Sequence, residues 1–342
     1  MKPTLSQLIA PYSSVSIIGM CKNAGKTTVL NRIIREVNGN GQVIALTSIG
    51  RDGENKDLVT GTKKPGIYVQ EGTLVATASA LILNHCDVTR EILDTTGIGT
   101  PMGDVVILRA KSDGNIQLAG PSITSQLARL GKTFRELGAD LVMFDGALSR
   151  KTLCSRRVSQ ATVLCTGASY HKNLDVVVED TAHICRMLTL PELDDRALAE
   201  GLEEEEDFRG LRLYTEQGNW DVPLGMSLED ALRKPEADGA KMVFFGGAMS
   251  DGLMKPLLMS GAPVKGLTFA VRDSSKILLK RDNYEKMRLR GIELRVLESV
   301  NLVAVTVNPF SAYGFHFDKD ELMARMQARV DIPVINVEDN VV

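Results

Sequence analysis

Short apolar runs alternate with amphipathic stretches along most of the chain. Val15 to Ile18 reads as a buried strand, and TTVLNRIIREV after it sets Val29, Leu30, Ile33, Ile34 and Val37 on one helical face. QVIALTSIG predicts a second strand. DVVILRA and NIQLAG predict a hairpin around Ser112-Asp113-Gly114. A helix over Ile123 to Leu137 leads into a strand at Leu141 to Phe144, and the strand ATVLCTG precedes the helix NLDVVVEDTAHICRML. A polar, acidic stretch from Pro191 to Arg209 interrupts the pattern, and its glutamates, Glu203 to Glu206, read as a solvated helix or linker. The alternation then resumes: KMVFFGG, DGLMKPLLMS, LTFAVRD, DNYEKMRLRG, LVAVTVN, DKDELMARMQARV and PVINV. This is the grammar of an α/β protein with a largely parallel sheet.

With 342 residues, the chain exceeds what one average core serves. The interruption places a boundary near residue 200, giving a first domain over 1–200 and a smaller α/β domain over 201–342. A net charge of −3 and the lack of a long basic tract argue against nucleic acid or an anionic membrane as main partner. The longest apolar runs, such as Leu302 to Val307, are far too short for a bilayer span, and the N-terminus lacks a signal-peptide pattern. The expected location is therefore cytoplasmic. The five cysteines are scattered and form no CxxC pair or Cys/His cluster, so zinc and redox dithiol chemistry find no support.

The segment with the clearest chemistry is Ile17-Ile18-Gly19-Met20-Cys21-Lys22-Asn23-Ala24-Gly25-Lys26-Thr27-Thr28. A strand ends at a glycine, and Gly-Lys-Thr-Thr opens a helix, as in the P-loop of nucleotide-binding proteins. The N–H groups at such a helix start lack helical partners and carry the positive end of the dipole, so they bind phosphate. Lys22 through Thr28 form the expected cradle. Lys26 would reach the β- and γ-phosphates as a catalytic cation, and the Thr27 hydroxyl would hold Mg²⁺. Gly25 permits close approach of backbone to anion. The spacing departs from the usual pattern, because Gly19 stands one residue too far back and Met20 takes the first position. Lys22 lies four residues before Lys26, whereas MinD-like P-loop proteins carry their signature lysine five ahead; a simple phosphate or solvent contact is the plain alternative.

A P-loop needs an acidic partner for its metal. Asp145 in VMFDG follows an apolar strand as a Walker B aspartate does, although Asp-Gly is also an ordinary turn pair. Asp52, after the second strand, is a candidate both for positioning the attacking water and for the metal. Glu54 and Glu71 are alternatives for that carboxylate, and Arg51 could meet phosphate; each is equally readable as surface charge. In the second half, Gly246-Gly247 could form an anion nest, while Asp273 and Asn308-Pro309 follow strands and could line the ligand edge or simply make turns. His316 in AYGFHFD reads as a packed or turn histidine.

The phrases IIGMCKNAGKTTVLNRII, ALTSIGRDGE, GTKKPGIYVQEGT, LVMFDGALSRK, VRDSSKILL and VTVNPFSAYGFHFD together resemble a reactivase subunit. That family accompanies the adenosylcobalamin-dependent lysine 5,6-aminomutase and ornithine aminomutase. The resemblance implies a P-loop ATPase using ATP and Mg²⁺, with the aminomutase and a MutS-like companion ATPase as partners, and a homo-oligomer as a further possibility. Other readings of the same residues are a small-molecule kinase, an ATP-dependent ligase, a GTP-dependent metallochaperone, and a scaffold that binds nucleotide without hydrolysing it. Against the metallochaperone stand the missing NKxD motif and the lack of a His/Cys cluster.

Overall fold

The computed structural model describes residues 3–38, 41–50, 66–84, 86–148 and 154–337. It is a mixed α/β protein whose residues gather into two compact units, Met1–Ala182 with Asn301–Val342, and His183–Val300. Among the described residues, no helix is long and apolar enough to cross a membrane.

The first unit opens with α1 (Leu5–Ile9), capped by Thr4 and Gln7, whose side chains each bond the other's backbone N–H. It continues through β1 (Ser14–Gly19), α2 (Lys26–Asn38), β2 (Ile44–Ser48), β3 (Ile67–Val69), β4 (Leu74–Ala78) and α3 (Ser79–Asn84). Then come β5 (Arg90–Thr100), β6 (Gly103–Ala110), β7 (Gly114–Ile116), α4 (Thr124–Glu136), β8 (Leu141–Ala147), β9 (Ala161–Gly167) and α5 (Leu174–Leu188), within which the chain passes to the second unit. β1, β2 and β9 are buried at every position, which is why they read as continuous apolar or small runs. The predicted helical face of α2 is buried, and α4 inserts Leu127, Leu130 and Phe134; a fully buried side chain such as Phe134 contributes about 1.5–3 kcal/mol.

The second unit contains α6 (Arg196–Glu204), β10 (Leu211–Thr215), β11 (Gly218–Asp221), α7 (Leu228–Ala231), β12 (Met242–Phe245), β13 (Met249–Ser250) and α8 (Asp251–Met259). β14 (Thr268–Asp273), β15 (Ile277–Leu278), α9 (Arg281–Leu289) and β16 (Glu293–Glu298) complete it. Its sheet runs β11-β10-β12-β14-β16, with the last three strands parallel. β12 feeds two cores: Val243 and Phe245 pack with Phe269 and Met254, while Met242 and Phe244 pack with Leu202 and Ala270 on the other face.

The chain then adds β17 (Leu302–Asn308), α10 (Lys319–Gln327) and β18 (Val334–Asn336) to the first unit. The large sheet has the order β18-β17-β9-β1-β8-β2-β4-β6-β5, parallel from β18 to β4 and antiparallel at β6 and β5.

Three expectations differ from this arrangement. The residues after 300, which the sequence pattern assigned to a second domain, form part of the first unit, because β17 pairs with β9 rather than with the sheet of the second unit. The break after residue 182 falls inside α5, hidden by an unbroken helical pattern. The hairpin expected around Ser112-Asp113-Gly114 is also absent: β7 pairs with β3, and β6 makes its hairpin with β5 instead. β5 is mostly exposed and mixes apolar with polar residues on both faces, so no apolar period announces it.

Candidate functional site

In the first unit, β1 delivers the chain to the carboxyl edge of seven parallel strands, the edge where open α/β sheets hold ligands. Met20 donates its N–H to the Cys165 carbonyl at 2.9 Å, so the ladder with β9 extends one residue beyond the strand. The loop turns through two left-handed residues, Asn23 at φ 60° and Gly25 at φ 95°. Asparagine tolerates that conformation better than most residues, and glycine adopts it freely. The first helical bond of α2 runs from the Val29 N–H to the Gly25 carbonyl, leaving the N–H groups of the first turn without partners inside the helix. No acidic side chain occupies that turn, so nothing on the helix neutralises its positive end.

Lys26 folds back over the end of β1. A methyl group built on Gly19 would stand 2.9 Å from the lysine Cδ and 3.0 Å from its Nζ. Gly19 therefore serves as the floor on which the lysine lies, which gives it a role despite the irregular spacing. Lys26, Thr27 and Thr28 are half-buried, Ala24 is buried, and Lys22 and Asn23 are exposed.

Asp145 lies on β8, the strand hydrogen-bonded to β1, in register with Ile17. It is only 8% exposed. The Ile49 N–H donates to its carbonyl at 2.9 Å, which brings the exit of β2 to the same place. Gly50 donates to the Pro121 carbonyl, and Gly120 to the Ser48 hydroxyl, so the Gly120-Pro121 segment lines this exit as well. No pattern in the sequence pointed to that segment. The charges of Lys26 and Asp145 both reach Cys165, whose thiol burial pushes up to about 12. Cys21 in the loop is raised to about 11 by burial, against the opposing pull of Lys26.

The remaining candidates fall in several places. Asp52, Arg51 and Glu54 lie outside the described residues. Glu71 precedes β4, which runs parallel to β2 with Leu74 beside Ala45, so it stands at the amino end of the sheet, opposite the loop between β1 and α2. Asn308 ends β17 and packs on the loop, its Cβ 3.5 Å from where a Gly25 methyl would be. In the second unit, the Gly246 N–H is bonded to the Gly210 carbonyl and the space above Gly246 is filled by Phe208, so the expected anion nest does not form. Asp273 accepts from the Ser275 N–H at 2.7 Å, as a turn residue does. His316 is exposed in the loop after β17, bridged to Phe310.

The fold is that of a mixed α/β protein with a large, mostly parallel sheet, and at its carboxyl edge a loop leads from β1 into α2. No known protein family, curated protein or solved structure matches the chain.

Proposed function

We propose that the chain is a P-loop ATPase. The observation that carries this reading is the placement of Lys26, laid back over Gly19 at the end of β1, and of the nearly buried Asp145 on the adjacent strand. The cation and the helix N–H groups suit a triphosphate. The residues also fit Mg²⁺, because a carboxylate and a hydroxyl are the hard oxygen donors this ion takes. Thr27 and Asp145 would hold it, and once bound it neutralises charge on the phosphate oxygens. Lys26 supplies positive charge where the β–γ bridge breaks. Asp52, by its place after β2, is the carboxylate assigned to the attacking water.

The cellular role we propose is reactivation of an adenosylcobalamin-dependent aminomutase, a reading supported by the resemblance of the six phrases alone. Removing damaged cofactor requires two conformations of different cofactor affinity, and nucleotide turnover can supply that difference.

Calorimetric titration with Mg·ATP tests the first part. Binding by the wild-type chain that weakens about 10- to 150-fold in Lys26→Ala is the expected result, the size of one charge-assisted contact. The second part is tested by incubating substrate-inactivated mutase with this protein, its companion, ATP, Mg²⁺ and fresh adenosylcobalamin. Recovered activity that requires Lys26 supports the role; ATP turnover without recovery removes it.

A further inference from the structure

The loop between β17 and α10 concentrates aromatic side chains at the edge that carries the phosphate loop: Phe310, Tyr313, Phe315, His316 and Phe317. It is an ordered hairpin. Phe310 and His316 form a bridge, Ser311 donates to the Phe315 carbonyl at 2.9 Å, and Phe317 donates to the Pro309 carbonyl at 3.0 Å. Two further bonds tie it and the end of β17 to the turn after β9: Ala168 donates to the Asn308 carbonyl, and the Ser169 hydroxyl accepts from Ala312. Phe310 and Tyr313 nevertheless stay 51% and 58% exposed. Ring surface held in water on an ordered hairpin is available to stack on a ligand.

Position argues for one occupant. β1 carries the phosphate loop, with Asp145 on one side of it and β9 and β17 on the other. The metal and γ-phosphate end of a nucleotide belongs beside Asp145, so its nucleoside must extend toward β17, about 10 Å across the sheet. Asn308, packed against Gly25, shows that this side meets the start of α2 directly. Three side-chain acceptors in and beside the hairpin are used locally by backbone N–H groups. The Asn308 side-chain oxygen accepts from Phe310, the Ser311 hydroxyl from Tyr313, and the Asp318 carboxylate from Glu321 at the cap of α10. Those three acceptors are thereby engaged locally, while Phe310 and Tyr313 keep about half of their surface exposed.

We infer that the hairpin 309–317 is the platform on which the nucleobase stacks, with Phe310 and Tyr313 supplying the faces. Selection by stacking makes the site tolerant of either purine, since every base has a π-face. This inference rests on the phosphate-loop reading above. The test compares Mg·ATP, Mg·GTP and Mg·tripolyphosphate by calorimetry on the wild type and on Phe310→Ala/Tyr313→Ala. The expected result is a loss of about tenfold or more for both nucleotides, with tripolyphosphate unchanged. Phe310→Trp keeps a stacking face, and its emission should be quenched by ATP but not by tripolyphosphate. Unchanged ATP affinity, or an equal loss for ATP and tripolyphosphate, overturns the platform while leaving the phosphate site standing. A wild-type chain that binds neither ligand defeats the phosphate-loop reading, and the platform falls with it.

Discussion

In each of the two units a buried strand stops at or just before a glycine on the way to a helix, and the two glycines have opposite surroundings. At Gly19 the space a side chain would take is filled by the tip of Lys26, a flexible group that a ligand can engage. At Gly246 it is filled by Phe208, whose ring and backbone oxygen each lie 2.5 Å from where a methyl would stand, and whose ring also stacks on Phe244. One glycine keeps a charged group in place at an open edge; the other lets two packed segments touch. A glycine after a strand thus marks only that something comes close. What comes close decides whether the place binds or packs.

The same substitution should separate the two roles. Gly246→Ala forces the methyl into an aromatic ring and a backbone carbonyl, and we expect it to destabilise the second unit by about 2–3 kcal/mol, near the upper range for overpacking. Thermal and denaturant unfolding would register it, with Mg·ATP affinity unchanged at a temperature where the variant stays folded. Gly19→Ala meets only a movable side chain. Its stability should change by less than about 1 kcal/mol, while triphosphate binding weakens because Lys26 is pushed off its floor. If both variants lost only stability, the phosphate site would lose its chief support.

That contrast also explains how much could be read from the chain alone. The parallel strands of the first unit are buried on both faces, so their apolar runs stood out, and β9 and β17 match the expected segments residue for residue. The loop from Gly19 to Lys26 was legible because its residue types have few uses together. The edge was not. β5 carries a mixed pattern with two register shifts against β6, which blunt an exposed edge and also erase its period. The hairpin after β17 was seen only as a turn, since ring exposure depends on bonds to Ser169 and Asn308 that distant sequence does not reveal. The Gly246 nest misled because Phe208, thirty-eight positions earlier, gives no sign of lying above it.

A smaller effect sharpens the picture of the first unit. Buried Arg32 of α2 donates to the Asn336 carbonyl at 3.0 Å and to Glu36 at 2.7 Å, attaching edge strand β18 to the helix that opens with Lys26. Burial pushes the Glu36 carboxyl up, but hydrogen bonds from Arg32 and Ser6 outweigh it and hold the group below its ordinary value. A depressed carboxyl contributes stability above its unfolded pKa and loses it as pH falls through the folded value. Arg32→Ala should cost about 1–3 kcal/mol at neutral pH, and the deficit should shrink at acidic pH, below the depressed folded value, where Glu36 protonates in the wild type too. Paired denaturant midpoints at the two pH values measure this.

The smallest effect concerns thiols and returns to the same contrast. Burial raises Cys21 to about 11 while Lys26 draws it down, whereas Cys185 in the second unit, raised to about 12 by burial, has only its own backbone bond against it. Raised thiol values favour the protonated form in the fold. The stability they carry is intact below the unfolded pKa and is lost as pH climbs through the folded one. At pH 8 the thiolate fraction at Cys21 is about two hundred times below that of a free cysteine, partly offset by the greater nucleophilicity of a more basic thiolate. Net alkylation by iodoacetamide should be about twentyfold slower than for a free thiol and should rise with pH toward 11. Lys26→Ala removes a charge that lowers the Cys21 value, so the variant should react more slowly still at pH 8, while Cys185 stays unchanged. Faster alkylation of Cys21 in that variant would mean that the lysine shields the loop by covering it, and that its charge matters less there than its bulk.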